Sequence, residues 1–205
     1  MRPDEIETLS FKIIDEEAGT HNFPSDKWSV VRRMIHSSAD FEYIKSVRFH
    51  PDAISCGINA LRCGKKIITD TNMAKAGIRK SDLEQFGTQV KCFMTDPEIE
   101  RVASKNKITR AKAAVDAAIT DMQDGIYVIG NAPTALLRLI ELVKAQKAGP
   151  ALIVGLPVGF VNAAESKAAL VDLDCPYISN IGRKGGSNIA ASVVNALAKL
   201  AFLSD

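Results

Sequence analysis

IYVIGNAPTALLRLIEL, residues 126–142, changes its period once. The first four positions are β-branched or aromatic and read as a buried strand. Gly130, Asn131, Ala132, Pro133 and Thr134 form a polar turn, and Leu136, Leu137, Leu139 and Ile140 then share a helical face. Pro133 suits a first helical turn, whose N–H groups have no intrahelical acceptor to lose. The same strand–turn–helix phrase recurs over 151–170 and 176–203. Parallel strands joined by right-handed crossovers place every such turn on one rim, outside the strands' carboxyl ends. The functional site is expected there.

Residues 66–69 (KIIT) and 90–94 read as further strands, and 43–49 as a candidate strand that contains Lys45 and Arg48. Ser25 or Asp26 can cap a helix bearing Trp28, Val31, Met34 and Ile35 at helical spacing, which stops near His36-Ser37-Ser38. A helix over 55–63 ends at Gly64, and a short one over 73–75 is closed by Gly77. Asp96-Pro97 opens a helix through Val102, and an alanine-rich helix over 108–122 has Thr109 and Arg110 near its start. A short apolar run at 11–14 precedes loop-like sequence over 19–24. No composition break marks a linker, and no repeat of fixed period occurs. The pattern predicts a single domain over 1–205. It is a Rossmann-like three-layer α/β/α fold with a mainly parallel sheet of about five strands.

The chain has 205 residues, 46% of them hydrophobic and 24% charged, which suffices for one domain with a substantial core. A net charge of +2, with no block of like charges, does not point to a nucleic-acid surface. Aromatics at 6% make a base-stacking platform equally unexpected. Cys56, Cys63, Cys92 and Cys175 form no CxxC pair and have no zinc-type histidine partners, so no metal is expected. They read as free, mostly buried thiols of a reducing compartment. The N-terminal MRPDEIETLSFKIIDEE is too acidic for a signal peptide. The longest apolar run, 151–161, falls far short of the ~20 residues that span a bilayer. A soluble cytoplasmic protein with no membrane and no nucleic-acid partner is expected.

Polar residues gather in five turns: 70–72, 109–110, 130–134, 159–167 and 182–187. Gly182-Arg183-Lys184-Gly185-Gly186-Ser187 can present backbone amides and two cations at a helix N-terminus, which suits a carboxylate or phosphate. The plainer alternative is a flexible turn. The dinucleotide fingerprint G-x-G-x-x-G and the P-loop are both missing, so neither NAD nor ATP is indicated. Ser166 and Lys167 read as solvated residues near a helix start, since adjacent helical side chains do not face one another. Asp70 can be an ordinary turn residue. His36 closes its helix, where unpaired carbonyls favour a cation, and Arg33 on the same face opposes that charge. The pair offers a proton donor beside a fixed positive group; the alternative is a surface histidine.

Ser10-Phe11, Arg33-Met34-Ile35-His36, residues 70–73, Thr109-Arg110, IGNAPTAL, LPVGFV…AESK and GRKGGS occur in an order that resembles the precorrin-8X methylmutases, including the cobalt-precorrin-8 enzymes. The resemblance covers nearly the whole chain. It implies an isomerase of cobalamin biosynthesis that moves a methyl group from C-11 to C-12 of a tetrapyrrole-derived macrocycle. The reaction is a 1,5-sigmatropic shift yielding hydrogenobyrinate or cobyrinate. It further implies a homodimer with active sites at the interface and no added cofactor. The family's catalytic histidine falls on His36, and Ser10, Arg33 and Arg110 fall on substrate contacts. The polar turns add Asp70, Thr71, Thr134, Arg183, Gly185 and Ser187 as candidate contacts, with Lys184 a further cation suited to carboxylates. Ser37, Ser38, Asn72 and Asn162 depart from the family's usual residues. They motivate one alternative, a non-catalytic corrinoid carrier using the same site.

Overall fold

The computed structural model describes residues 2–203. The chain opens with helices α1 (Pro3–Ala18) and α2 (Ser25–Ser38), then a single turn α3 (Tyr43–Ser46) leading into strand β1 (Val47–Phe49). Next come α4 (Ala53–Arg62), β2 (Ile67–Thr69), α5 (Asn72–Gly77), α6 (Lys80–Glu84) and β3 (Val90–Lys91). After α7 (Pro97–Asn106) and α8 (Arg110–Ala117), three strand–helix units complete the chain. These are β4 (Ile126–Ile129) with α9 (Pro133–Lys144), β5 (Leu152–Gly155) with α10 (Ala163–Val171), and β6 (Tyr177–Asn180) with α11 (Ser187–Leu203).

Among the described residues the sheet has six strands, in the order β1-β6-β5-β4-β2-β3, and is mainly parallel as expected. Five run parallel, and β1 pairs antiparallel with β6, Val47 facing Asn180 and Phe49 facing Ile178. The parallel set is doubly wound. From β2 the chain steps outward to β3, then returns to the other side for β4, β5 and β6, which makes the β2/β4 boundary the topological switch point.

Alternation of period two assigns the strand side chains to two cores. Ile126, Val128, Leu152 and Val154 pack with α2, α4 and α11 on one face. Tyr127, Ile129, Ile153 and Tyr177 pack with α8, α9 and α10 on the other. Helices cover both faces, which is why β4 and β5 read as continuous apolar runs. Helix α11 is the central column of the first core, with Ile189, Val193, Val194 and Leu197 buried in it. Of the expected helices, α7 runs four residues past Val102, and α8 stops at Ala117 rather than Met122. Residues 43–49 divide into α3 and β1, and β3 is confined to two residues.

Neither Ser25 nor Asp26 caps α2. Pro24 holds the N-cap position, and Ser25 is already helical. The thiols are free, but only Cys175 is buried and Cys63 is exposed, so the expectation of mostly buried cysteines fails. No helix among the described residues is long and apolar enough to cross a membrane. Truncating Leu197, fully buried on α11, removes packing from the centre of the first core; Leu197→Ala should cost about 2–5 kcal/mol in urea unfolding.

Candidate functional site

His36 occupies the last turn of α2 and is exposed. Its ring meets Phe11 of α1 edge-on, centroids 5.2 Å apart. Helix α1 is clamped to α2 by Asp15, which accepts hydrogen bonds from Trp28 Nε1 at 2.8 Å and Arg32 Nη1 at 2.7 Å. Between them lies a groove of about 340 Å³ lined by Ser10, Ile13, Glu17, Ile35, His36 and Phe41. Ser10 and His36 therefore share one concavity. Ser10 Oγ donates to the Ile6 carbonyl at 2.8 Å, which ties the hydroxyl to its own helix.

Arg33 stands differently. It is 5% exposed, forms an ion pair and hydrogen bond with Glu7, and lays its guanidinium 4.7 Å from the Phe11 ring centre. Its charge is engaged inside the protein, yet it still acts on His36. Desolvation pushes the imidazole below its ordinary value, and Arg33 adds to that shift, as do Arg79 and Lys199; Glu7 opposes it. The expectation that a helix C-terminus would favour the cation is thus outweighed. Glu7 itself lies below the usual carboxylate range: burial pushes it up, but the Arg33 hydrogen bond and the charges around it prevail.

From the end of α2, hydrogen bonds run along the carboxyl rim of the sheet. Asn188 Nδ2 of α11 donates to the Ser37 carbonyl at 3.3 Å. Lys184 bridges Asp40 at 2.6 Å and Glu42, so it is tied to the segment after His36 rather than free. Thr71 caps α5, accepting from Ala74 N at 3.1 Å, and shares a 2.8 Å hydrogen bond with Ser187 Oγ. At the switch point the Asp70 carboxylate is buried and accepts from the amides of Gly130, Asn131 and Ala132 at 2.8–3.0 Å. Burial raises its pKa, and the three amides pull it back in part. Asp70 shapes the turn from within. Thr109 caps α8 and donates to Thr134 Oγ1 at 3.2 Å, and Arg110 follows it, exposed.

Glycine is required at two points on this rim. A Cβ on Gly130 would lie 2.5 Å from Ser187 Cα, and one on Gly185, at φ +157°, would run into the Leu156 carbonyl. The turns after β4, β5 and β6 are therefore in backbone contact. Arg183 is exposed, with its guanidinium 5.4 Å from the Phe160 ring centre. The amides of Arg183, Lys184 and Gly185 meet no acceptor among the described residues. Asn162 sits at φ +60°, a left-handed position where glycine is favoured and asparagine is among the best-tolerated alternatives.

The carboxyl rim of the sheet thus gathers His36, Ser10, Thr71, Ser187, Gly185, Thr134 and Arg110, with Ser187 itself only 7% exposed. It turns Asp70 and Arg33 inward. Ser166 and Lys167, expected to be solvated, are 0% and 1% exposed. Glu7, Asp40 and Lys167 were not singled out as site residues. Glu7 is four residues before Phe11, and that helical spacing was the one available signal. Titration of ¹⁵N-labelled protein by NMR should place the His36 midpoint below 6.5, because burial and Arg33 both disfavour the imidazolium.

The precorrin-8X methylmutase family model matches residues 5–200. The cobalt-precorrin-8 methylmutase of Priestia megaterium is 46% identical over 201 residues, 98% of this chain and 89% of that protein. The precorrin-8X methylmutase of Pseudomonas aeruginosa is 38% identical, over 92% of this chain and 91% of its own. The crystal structure of the Thermus thermophilus precorrin-8x methyl mutase superposes with a TM-score of 0.90 at 44% identity, covering 97% of this chain and 96% of that one. The carrier alternative has no counterpart among these relatives. With a family model spanning almost the entire chain and relatives alike from end to end, this protein belongs to the precorrin-8X methylmutase family.

Proposed function

We propose that this protein moves the methyl group from C-11 to C-12 of precorrin-8X or cobalt-precorrin-8, with His36 as the proton donor. The observation that carries the reading is the groove shared by His36 and Ser10, tied by Asn188 and Lys184 to a rim of glycine turns. A 1,5-sigmatropic shift breaks and forms its bonds within one molecule, so the protein needs no nucleophile for it. Protonating the conjugated ring makes the migration path more electron-poor, and a fixed ring orientation supplies the rest.

A lowered pKa makes His36 a stronger acid but leaves it mostly neutral at pH 7 in the free protein. A substrate carrying acetate and propionate arms brings negative charge beside the ring and restores the imidazolium. The exposed cations Arg110 and Arg183 suit those arms, as do the amides near Gly185. Thr71, Ser187 and Thr134 offer hydroxyls along the same rim. Asp70 and Arg33 contribute at one remove, Asp70 through the 130–132 turn and Arg33 through the acidity of His36.

The site is completed by a second copy of the chain. A groove of about 340 Å³ stands at the low end of the roughly 300–1,000 Å³ of ligand pockets, too little to enclose a tetrapyrrole. Beside it, α1 turns Ile6, Leu9 and Ile13 outward at 51%, 43% and 44% exposure, an apolar stripe that suits a homodimer interface. Four free thiols suit a cytoplasmic setting.

His36→Ala should fold and bind the macrocycle but lose turnover by at least about a hundredfold, read from the absorbance change as the conjugation rearranges. Full activity would remove His36 from the mechanism, and ligand uptake by wild type without a spectral change would favour a carrier. Leu9→Glu should convert a dimer to a monomer in light scattering and depress turnover; a variant that remains dimeric takes α1 out of the interface.

A further inference from the structure

Lys167 projects from α10 beneath the 182–187 turn and is 1% exposed. Its Nζ donates to Asn180 Oδ1 at 3.0 Å and to the Lys184 carbonyl at 2.6 Å. Asn180 Nδ2 donates to the same carbonyl at 3.0 Å and to Ile181 O at 3.2 Å. One carbonyl in the middle of the turn is therefore held by two donors from below. On its outer side the same residue, through its ammonium, bridges Asp40 and Glu42. Lys167 is thus two links from the segment that follows His36.

Both contacts of Lys167 are with neutral oxygens, and no carboxylate pairs with it among the described residues. An uncompensated buried ammonium is costly, and a methionine there would remove the cost. The residue suits function better than stability. We propose that Lys167 is a positioning residue whose buried charge holds the 182–187 turn as a cradle for one carboxylate arm of the macrocycle, the arm supplying the missing counter-charge. This rests on the tetrapyrrole reading above.

Proton linkage follows from the placement. Burial lowers Lys167 to about 8. The charged groups on the surrounding elements are Glu165 on α10, Arg183 and Lys184 on the turn, and Arg138, Glu141 and Lys144 on α9, with Tyr177 titratable on β6. Arg138 is engaged by Asp116 and Glu141, and the Lys184 ammonium by Asp40 and Glu42; none of these charged groups is bonded to Lys167, which meets Lys184 through its backbone carbonyl. A carboxylate bound over the turn favours the charged amine, so binding above pH 8 draws in a proton.

The test is calorimetric titration of the full-length protein with hydrogenobyrinic acid at pH 8.5, in buffers of different ionisation enthalpy. Wild type and His36→Ala alike should take up a proton on binding, which separates this uptake from any recharging of His36. Lys167→Met should melt no lower than wild type, bind about tenfold or more weakly, and lose the uptake. Asn180→Asp, nearly isosteric, places a carboxylate beside Lys167; it too should abolish the uptake and weaken binding. It also keeps the test open if Lys167→Met does not fold. Wild-type binding without proton uptake overturns the proposal, as does undiminished affinity with undiminished uptake in either variant. If wild type does not bind hydrogenobyrinic acid at all, the tetrapyrrole reading fails first and takes this proposal with it.

Discussion

Three backbone amides converge on the Asp70 carboxylate, and the rim is built outward from that point. Asp70 follows β2, and the amides belong to the turn after β4, so the contact spans the boundary where the winding of the sheet reverses. Such a crevice ordinarily opens at the carboxyl ends of two diverging strands. Here it is closed by a carboxyl side chain taken out of water. Burial raises the carboxyl's pKa despite three good donors. The turn it fixes abuts Ser187 so closely that residue 130 has no room for a side chain. Ser187 in turn meets Thr71, the residue after Asp70. The loop of contacts closes on itself, and the rim behaves as one piece.

The cations along that piece divide by what holds them. Arg33 and Lys184 are occupied by Glu7 and by Asp40 and Glu42, and they transmit position and potential. Arg110 and Arg183 are exposed and are the ones proposed to meet a ligand. Sequence alone lists four equivalent basic residues. Only the fold separates those that shape the site from those that can touch what it binds.

Legibility in the sequence follows the same line between local and tertiary causes. β4 and β5 are readable because strands covered on both faces become unbroken apolar runs, and β6, which ends in Ser179 and Asn180, because it repeats their strand–turn–helix phrase with a glycine-rich turn. Helix α1 was not, since it has apolar residues on both sides, Phe11 and Ile14 inward and Ile6, Leu9 and Ile13 outward, which blurs the helical period. Lys45 and Arg48 blur the candidate strand 43–49, of which only 47–49 pairs, as an edge strand that can tolerate charge. Lys167 read as solvent-facing because its burial depends on a loop far along the chain. Asn162, which looked like a departure, keeps the backbone that a glycine would give.

The reversed edge strand decides which end of a helix reaches the site. In a wholly parallel sheet, the helices that lead into strands finish at the opposite rim. Because β1 runs against its neighbour, with Val47 beside Asn180, the chain enters it from the ligand side, and α2 ends there too. One helix therefore brings its carbonyl end, where Asn188 reaches the Ser37 oxygen, to a rim otherwise furnished with the amide ends of helices such as α5, α9 and α11. The proposed proton donor and the carboxylate arms proposed for the ligand would then meet backbone of opposite polarity along one rim, the carbonyl end being too weak alone to offset burial and Arg33 at His36.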